Sequence, residues 1–336
     1  MREAFLYEKL EGEKVKCSLC AHRCIIKNGK RGICYVRENK DGYLYSLVYG
    51  KVVSINVDPI EKKPLFHLLP ASKSLSIATV GCNFRCLHCQ NNEISQYPRE
   101  HKGTIIGTDT TPEAVVDAAI RQGCKSIAYT YTEPTIFMEF AYDCARLARN
   151  KGIKNVFVSN GYMTPKSVEM ITPYLDGDNI DLKGDEEFYK KICGAHVEPV
   201  KETIRLMKEK EVWVEVTTLI IPDHNDSDKI LTDIAEFIAS VSTEIPWHFT
   251  QYYPTYKLND KPRTPVETLQ RAREIGLNSG LKYVFEGNVP GEGRENTYCP
   301  TCGALIIQRT GFSINENKLA DGKCHKCGQP IAGVWE

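Results

Sequence analysis

No stretch of the chain is apolar for long enough to cross a bilayer, and its first residues, Met1-Arg2-Glu3-Ala4-Phe5-Leu6-Tyr7-Glu8, carry charge where a secretory leader would be apolar. A cytoplasmic protein is expected. Charge of one sign is also missing. The 43 basic and 43 acidic residues cancel, so no long-range field draws the chain to nucleic acid or an anionic membrane. The composition is not that of a disordered chain either, with 42% hydrophobic and 26% charged residues. A chain of 336 residues can bury a sizeable core and exceeds one average domain, which implies a main domain with appendages.

Cysteine is what the chain has in plenty. Eleven of its 14 cysteines fall in three groups with metal-ligand spacing. Cytosolic thiols stay reduced, so grouped cysteines read as ligands before disulfides. The remaining three, Cys124, Cys144 and Cys193, lie in apolar or helical surroundings and read as small core residues. Cys193 is the one of these placed to approach a pocket.

The central group is Gly81-Cys82-Asn83-Phe84-Arg85-Cys86-Leu87-His88-Cys89-Gln90, directly after the strand-like run Leu75 to Val80. Three thiolates spaced C-x3-C-x2-C can hold three corners of a four-iron, four-sulfur cube and leave the fourth iron open to another ligand. The alternative is a zinc or ferredoxin site completed from elsewhere. The first group, Cys17, Cys20, Cys24 and Cys34, can close a tetrahedral site in a segment too small for its own core. Zinc and a second iron–sulfur cluster both suit its spacing, and the balance tips to zinc because no ferredoxin spacing matches. The last group, Cys299, Cys302, Cys324 and Cys327, forms two C-x2-C-G knuckles, a zinc-ribbon pattern. No aromatic–basic stripe accompanies it, so it reads as a structural or docking module rather than a nucleic-acid binder.

Between the first two groups, Tyr43 to Tyr49 and Lys51 to Val57 read as a hairpin joined near Gly50, and Asp58 to Pro64 as a rigid connector. From Ser74 onward strand-like and helix-like segments alternate, with helix starts at Thr111-Pro112 and Thr164-Pro165 and a helix from Thr264 to Ser279. Repeated β-then-α units imply an α/β fold: a parallel sheet with helical crossovers, curved into an incomplete barrel whose active site lies at the C-terminal strand ends. Polar residues do collect just past those strands. They include the three cysteines, Thr132 and Glu133, Ser159 and Asn160, Asp181 and Lys183, Thr217 to His224, His248 and Gln251, and Glu286-Gly287-Asn288.

On these residues the core, about Ser74 to Gly291, resembles the radical S-adenosylmethionine (SAM) superfamily in the branch of the pyruvate formate-lyase activating enzymes. With its flanks it resembles the radical SAM family of the AmmeMemoRadiSam system. The closer likeness rests on Val57 to His67, the loop Gly81 to Asn91, and Tyr256-Lys257-Leu258.

The resemblance implies a partial (β/α)6-type barrel over 74–291, with an N-terminal four-cysteine segment over 1–73 and a zinc ribbon over 292–336. It implies a [4Fe-4S] cluster on Cys82, Cys86 and Cys89, with SAM chelated at the open iron and cleaved reductively to a 5′-deoxyadenosyl radical. Glu133, with Thr132, would face the SAM amino group, and Ser159 and Asn160 the methionine or ribose. Asp181 and Lys183 would fix ribose and carboxylate, and Ile220 to Asp223 would border adenine. His88 would lie flat against adenine where the family often has an aromatic residue. The two glycines that often precede the glutamate are replaced by Tyr131 and Thr132, which makes close backbone approach less assured. His224, His248, Gln251 and Glu286 are the substrate-side candidates. A ferredoxin or flavodoxin is implied as electron donor, and the partners are Memo-like and AMMECR-type proteins or a glycyl-radical enzyme. Three functions follow: modification of a small molecule or peptide, installation of a glycyl radical on a partner, or a non-catalytic iron–sulfur and zinc scaffold.

Overall fold

The computed structural model describes residues 1–287 and 294–336, so Asn288 and the boundary expected at residue 291 lie outside the described residues. Its centre is an eight-stranded sheet ordered Val284–Gly287, Trp247–Gln251, Trp213–Ile220, Gly177–Asp181, Lys154–Ser159, Ser126–Tyr129, Lys73–Ala78 and Ser54–Pro59. Every neighbouring pair is parallel except the last, which is antiparallel. Among the described residues the two edge strands do not pair with each other, which leaves the barrel open. The buried strands are rich in β-branched and aromatic residues, as two covered faces require. Parallel neighbours need crossovers, supplied by helices such as Pro112–Arg121, Met138–Asn150, Glu198–Glu209 and Asp228–Val241.

Local sequence sets the helix starts. The Thr111 hydroxyl accepts from the Ala114 amide, and Thr164 forms a reciprocal capping box with Ser167. Val266–Asn278 begins later than the expected start at Thr264 because the Thr264 hydroxyl is used elsewhere. It donates to the Ile220 carbonyl at 2.6 Å and accepts from the Tyr252 amide at 2.9 Å, joining two strand ends.

The hairpin expected about Gly50 does not form. Tyr43–Ser46 pairs with Arg37–Lys40 and Arg2–Glu3, while Ser54–Pro59 covers the edge of the main sheet at Lys73–Ala78. An uncovered edge offers a full row of unpaired backbone groups, a stronger partner than a short neighbouring strand. The segment from Asp58 to Pro64 is therefore no simple connector, because its first residues belong to the sheet. A boundary at residue 73 would divide that antiparallel pair.

Ala4, Val15, Leu19 and Ile26 of the N-terminal segment bury into the same apolar core as the barrel. A buried ion pair adds to this junction, with Arg37 Nη2 2.5 Å from Glu139 Oε1 and Nη1 3.1 Å from Oε2. The tail forms its own three-stranded sheet, Thr297–Tyr298, Leu305–Thr310 and Ser313–Asn317. Its core includes Ile306, Ile307 and Ile331 and extends to Phe66, Tyr283 and Phe285. His67 ties tail to barrel, with Nδ1 2.8 Å from the Ala332 carbonyl and Nε2 3.0 Å from Thr297 Oγ1. Among the described residues no helix is long and apolar enough to cross a membrane.

Candidate functional site

The strand Lys73–Ala78 delivers the chain to Gly81, whose φ of +100° favours glycine. A Cβ there would lie 2.6 Å from Val36 Cγ1. The loop that follows is pinned by backbone hydrogen bonds: Arg85 N–H to the Cys193 carbonyl and Leu87 N–H to the Ile192 carbonyl, both 3.0 Å. Cys82, Cys86 and Cys89 thereby line one wall of a cavity of about 710 Å³. Cys82 Sγ accepts from the Phe84 amide at 3.3 Å, and Cys89 Sγ lies 3.1 Å from Ser95 Oγ. Burial pushes the Cys82 and Cys89 thiols up. Cys86 is held below the ordinary thiol range by a hydrogen bond from the Cys193 thiol, with Lys183 adding its charge.

The opposite walls come from successive strand ends. Glu133 is buried, and its Oε1 accepts from the Thr135 amide at 3.0 Å, the Thr135 hydroxyl at 2.5 Å and the Ser159 hydroxyl at 3.0 Å. Among the described residues its Oε2 accepts only from the Asn160 amide, at 2.8 Å, which leaves that oxygen with spare capacity. Burial nevertheless raises the Glu133 pKa. Asn160 Nδ2 donates to Asn83 Oδ1 at 2.7 Å and lies 3.8 Å from Cys82 Sγ, linking this wall to the cysteine loop.

Lys183 Nζ sits 2.7 Å from Asp181 Oδ2. Burial alone would lower the Lys183 pKa, but Asp181 and then Cys86 reverse that and hold it charged. Asn225, which sequence reasoning missed, fixes this strand end by donating to the Lys183 carbonyl at 2.5 Å and the Leu219 carbonyl at 2.8 Å. His88 is buried with its Nδ1 unpartnered among the described residues. Burial first, then Lys183 and His224, lowers its pKa to about 3, so its ring is neutral.

Of the substrate-side candidates, His248 and Glu286 line the cavity. His248 Nε2 is 2.6 Å from Glu215 Oε2, and Arg294 Nη1 is 3.1 Å from both carboxylate oxygens of Glu286. Glu215 is a second residue that sequence reasoning missed. It also accepts from the Phe66 and His67 amides and from Trp213 Nε1, at 2.8 to 3.0 Å.

Four candidates stand away from the cavity. Side chains alternate along a strand, so Thr217 and Leu219 face the cavity while Ile220 turns into the core. The same alternation puts His248 and Thr250 inside and leaves Gln251 bonded to the Thr264 carbonyl at 2.8 Å and to Arg263 Nε at 2.9 Å. Asp223 is exposed and pairs with Lys261 at 3.1 Å. His224 follows it, outside the lining, with its Nε2 unpartnered among the described residues.

Other lining residues were not among the site candidates. Lys62 and Lys63 pair with Asp58 at 2.9 and 2.7 Å. Tyr131 takes a left-handed φ of 64° where a glycine is usual, and its hydroxyl donates to the same Asp58. Gly311 and Phe312, at the turn of the tail hairpin, close another side.

The residues present fit an iron–sulfur cluster with SAM. Three thiols from one loop share a cavity with a carboxylate wall, a buried cation and two polar atoms unpartnered among the described residues, Thr217 Oγ1 and His88 Nδ1. In the tail, the ligand atoms of Cys299, Cys302, Cys324 and Cys327 all lie within 4.8 Å of one another, as a single bound metal ion requires.

Residues 76–238 match the Radical SAM superfamily. An uncharacterized protein of Methanocaldococcus jannaschii is 49% identical over 334 residues, covering 98% of this chain and 99% of its own. The pyruvate formate-lyase 1-activating enzyme of Escherichia coli K12 is 22% identical over 221 residues, covering 61% of this chain and 89% of its own. Among solved structures, Streptococcus suis SuiB bound to S-adenosylmethionine superposes with a TM-score of 0.51 at 12% identity, over 68% of this chain and 53% of that one. That likeness is one of fold.

Proposed function

We infer the reaction from one premise: the chain belongs to the radical SAM superfamily. The function we propose is reductive cleavage of SAM at Cys82, Cys86 and Cys89, with hydrogen abstraction from a small-molecule or peptide substrate held in the same cavity. The observation that carries it is the meeting of those cysteines with Glu133, Ser159, Asn160, Asp181 and Lys183 around about 710 Å³. When bound, the cluster supplies the electron that splits SAM into methionine and a 5′-deoxyadenosyl radical.

The chain's own residues bind and orient. Glu133 Oε2 keeps room for an ammonium donor, and Lys183 offers a compact positive charge to a carboxylate. The neutral His88 ring offers a flat face to a base without repelling it. His248, oriented by Glu215, and Glu286, paired with Arg294, border the side of the cavity nearest the tail. Phe312 screens that side from water, which protects a reactive intermediate. Memo-like and AMMECR-type proteins stay in the proposal as partners.

A second reading, installation of a glycyl radical on a partner protein, draws on the likeness to the pyruvate formate-lyase activating enzyme. One experiment separates the two. The reduced protein is incubated with SAM and a cell extract, then tested for a low-mass product and for a protein-bound radical by electron paramagnetic resonance. The first result supports our reading, and the second replaces it with the activating function.

A further inference from the structure

The N-terminal cysteines lie outside the reaction site, and the geometry there departs from the zinc expectation. We propose that Cys17, Cys20, Cys24 and Cys34 hold a second four-iron, four-sulfur cluster, adjacent to the loop of Cys82.

All four line one small cavity. None is in a disulfide. Tetrahedral zinc with bonds of about 2.3 Å draws its sulfurs to about 3.8 Å apart. The tail quartet obeys this, with Cys299 and Cys327 3.6 Å apart and Cys302 and Cys324 3.7 Å apart. Among the described residues the tail is also the one group of three or more whose ligand atoms all lie within 4.8 Å of one another. No three of the N-terminal sulfurs meet that limit, and neither do the sulfurs of Cys82, Cys86 and Cys89. A cube requires that wider spread, because each sulfur caps a different iron. The N-terminal group therefore lacks the compact spacing of the ribbon, as the cluster loop does.

The surroundings suit an anionic cluster. Leu19, Ile26, Ile33 and Ile136 make the walls apolar. Arg37 lines the same cavity, is 2% exposed, and has its Nε without a hydrogen-bond partner among the described residues. A guanidinium N–H is a donor for cluster or thiolate sulfur, and such bonds tune reduction potential.

Four protein ligands leave no open iron, so this cluster would carry electrons and not bind SAM. Its position agrees with that role. Asn83 lines the N-terminal cavity, while its neighbour Cys82 lines the reaction cavity. The Asn83 carbonyl is 2.8 Å from His22 Nε2, and its side chain accepts from Asn160, which also approaches Cys82 Sγ. In the proposed transfer, one electron leaves the reduced second cluster and reduces the cluster on Cys82, Cys86 and Cys89. A low-potential donor of the ferredoxin or flavodoxin class restores it. This step rests on the proposed SAM chemistry, whereas the metal assignment does not.

The test is anaerobic reconstitution of the full chain with iron and sulfide, followed by counting iron, sulfide and zinc. The same count is made on the triple variant Cys82→Ala/Cys86→Ala/Cys89→Ala. The proposal expects about eight irons and one zinc in the unmodified chain, and about four irons with a reducible resonance signal that SAM does not shift in the variant. About four irons and two zincs in the unmodified chain would overturn it, whether or not the variant folds. If the SAM reading alone were wrong, the variant would still hold its four irons while SAM left the spectrum of the unmodified chain unchanged.

Discussion

Replacing Glu133 by Gln tests the wall of the cavity with the smallest change of shape. The carboxylate accepts four hydrogen bonds, three on Oε1 and one on Oε2. A glutamine can keep the first three on its amide oxygen, but its NH2 then faces the Asn160 N–H, donor against donor. Asn160 is only 7% exposed, so water cannot repair the mismatch freely. An unsatisfied buried donor costs about 1–3 kcal/mol, and exchanging a charged acceptor for a neutral one weakens the remaining three bonds by roughly half. Removing a buried charge offsets part of this, because burial already raises the Glu133 pKa. The net loss should be about 1–3 kcal/mol. Since Asn160 also holds Asn83 beside Cys82, the loss should fall on SAM binding as well as stability. Equilibrium titration of SAM into the reconstituted variant should give a Kd about 10–100-fold higher, with the urea midpoint lowered. Unchanged affinity with unchanged stability would refute the reasoning that this wall is held by Glu133.

Three further outcomes follow. His67 is fully buried and neutral, donating from Nδ1 to Ala332 and accepting at Nε2 from Thr297. Burial lowers its pKa from 6.5 to about 4, so between those values the unfolded chain binds the extra proton and stability falls as pH falls. The loss is about 3 kcal/mol by pH 4, and urea melts from pH 7 to 4 should show it flattened in His67→Gln. Gly81→Ala forces a Cβ against Val36 at a φ of +100°, and should cost about 2–3 kcal/mol and reduce iron retention after reconstitution. Phe312→Ala opens the tail side of the cavity and should increase uncoupled SAM cleavage without weakening SAM binding, measured as 5′-deoxyadenosine formed per product.

Much of the barrel is legible because buried parallel strands and amphipathic helices carry their own periodicity. Asp228–Val241 and its cap Ser227 are local features, as is the cysteine loop. What escaped notice is tertiary. Glu215 sits in the strand Trp213–Ile220 with nothing to show that two amides, an indole and an imidazole converge on it. Asn225 and Thr264 carry no local signal of a site, yet each fastens two strand ends. Ile220 and Gln251 lie at the strand ends where site residues were sought, but side-chain parity turns both away from the cavity. The Tyr131 departure from glycine has a local remedy, the Asp58 hydrogen bond, that only the folded chain supplies. Asp58 itself lies in a segment that sequence alone assigned to a connector.

The most direct measurement of the central claim is 5′-deoxyadenosine formation by anaerobically reconstituted protein given SAM and a strong reductant, with Cys86→Ala beside it. Cys86 lies on the cavity wall between the other two cysteines of the loop, with Lys183 charged beside it. The account expects 5′-deoxyadenosine and methionine in equal amounts from the unmodified protein and none from the variant. Full product formation by Cys86→Ala, or none by an unmodified sample whose cluster is fully loaded, would contradict it.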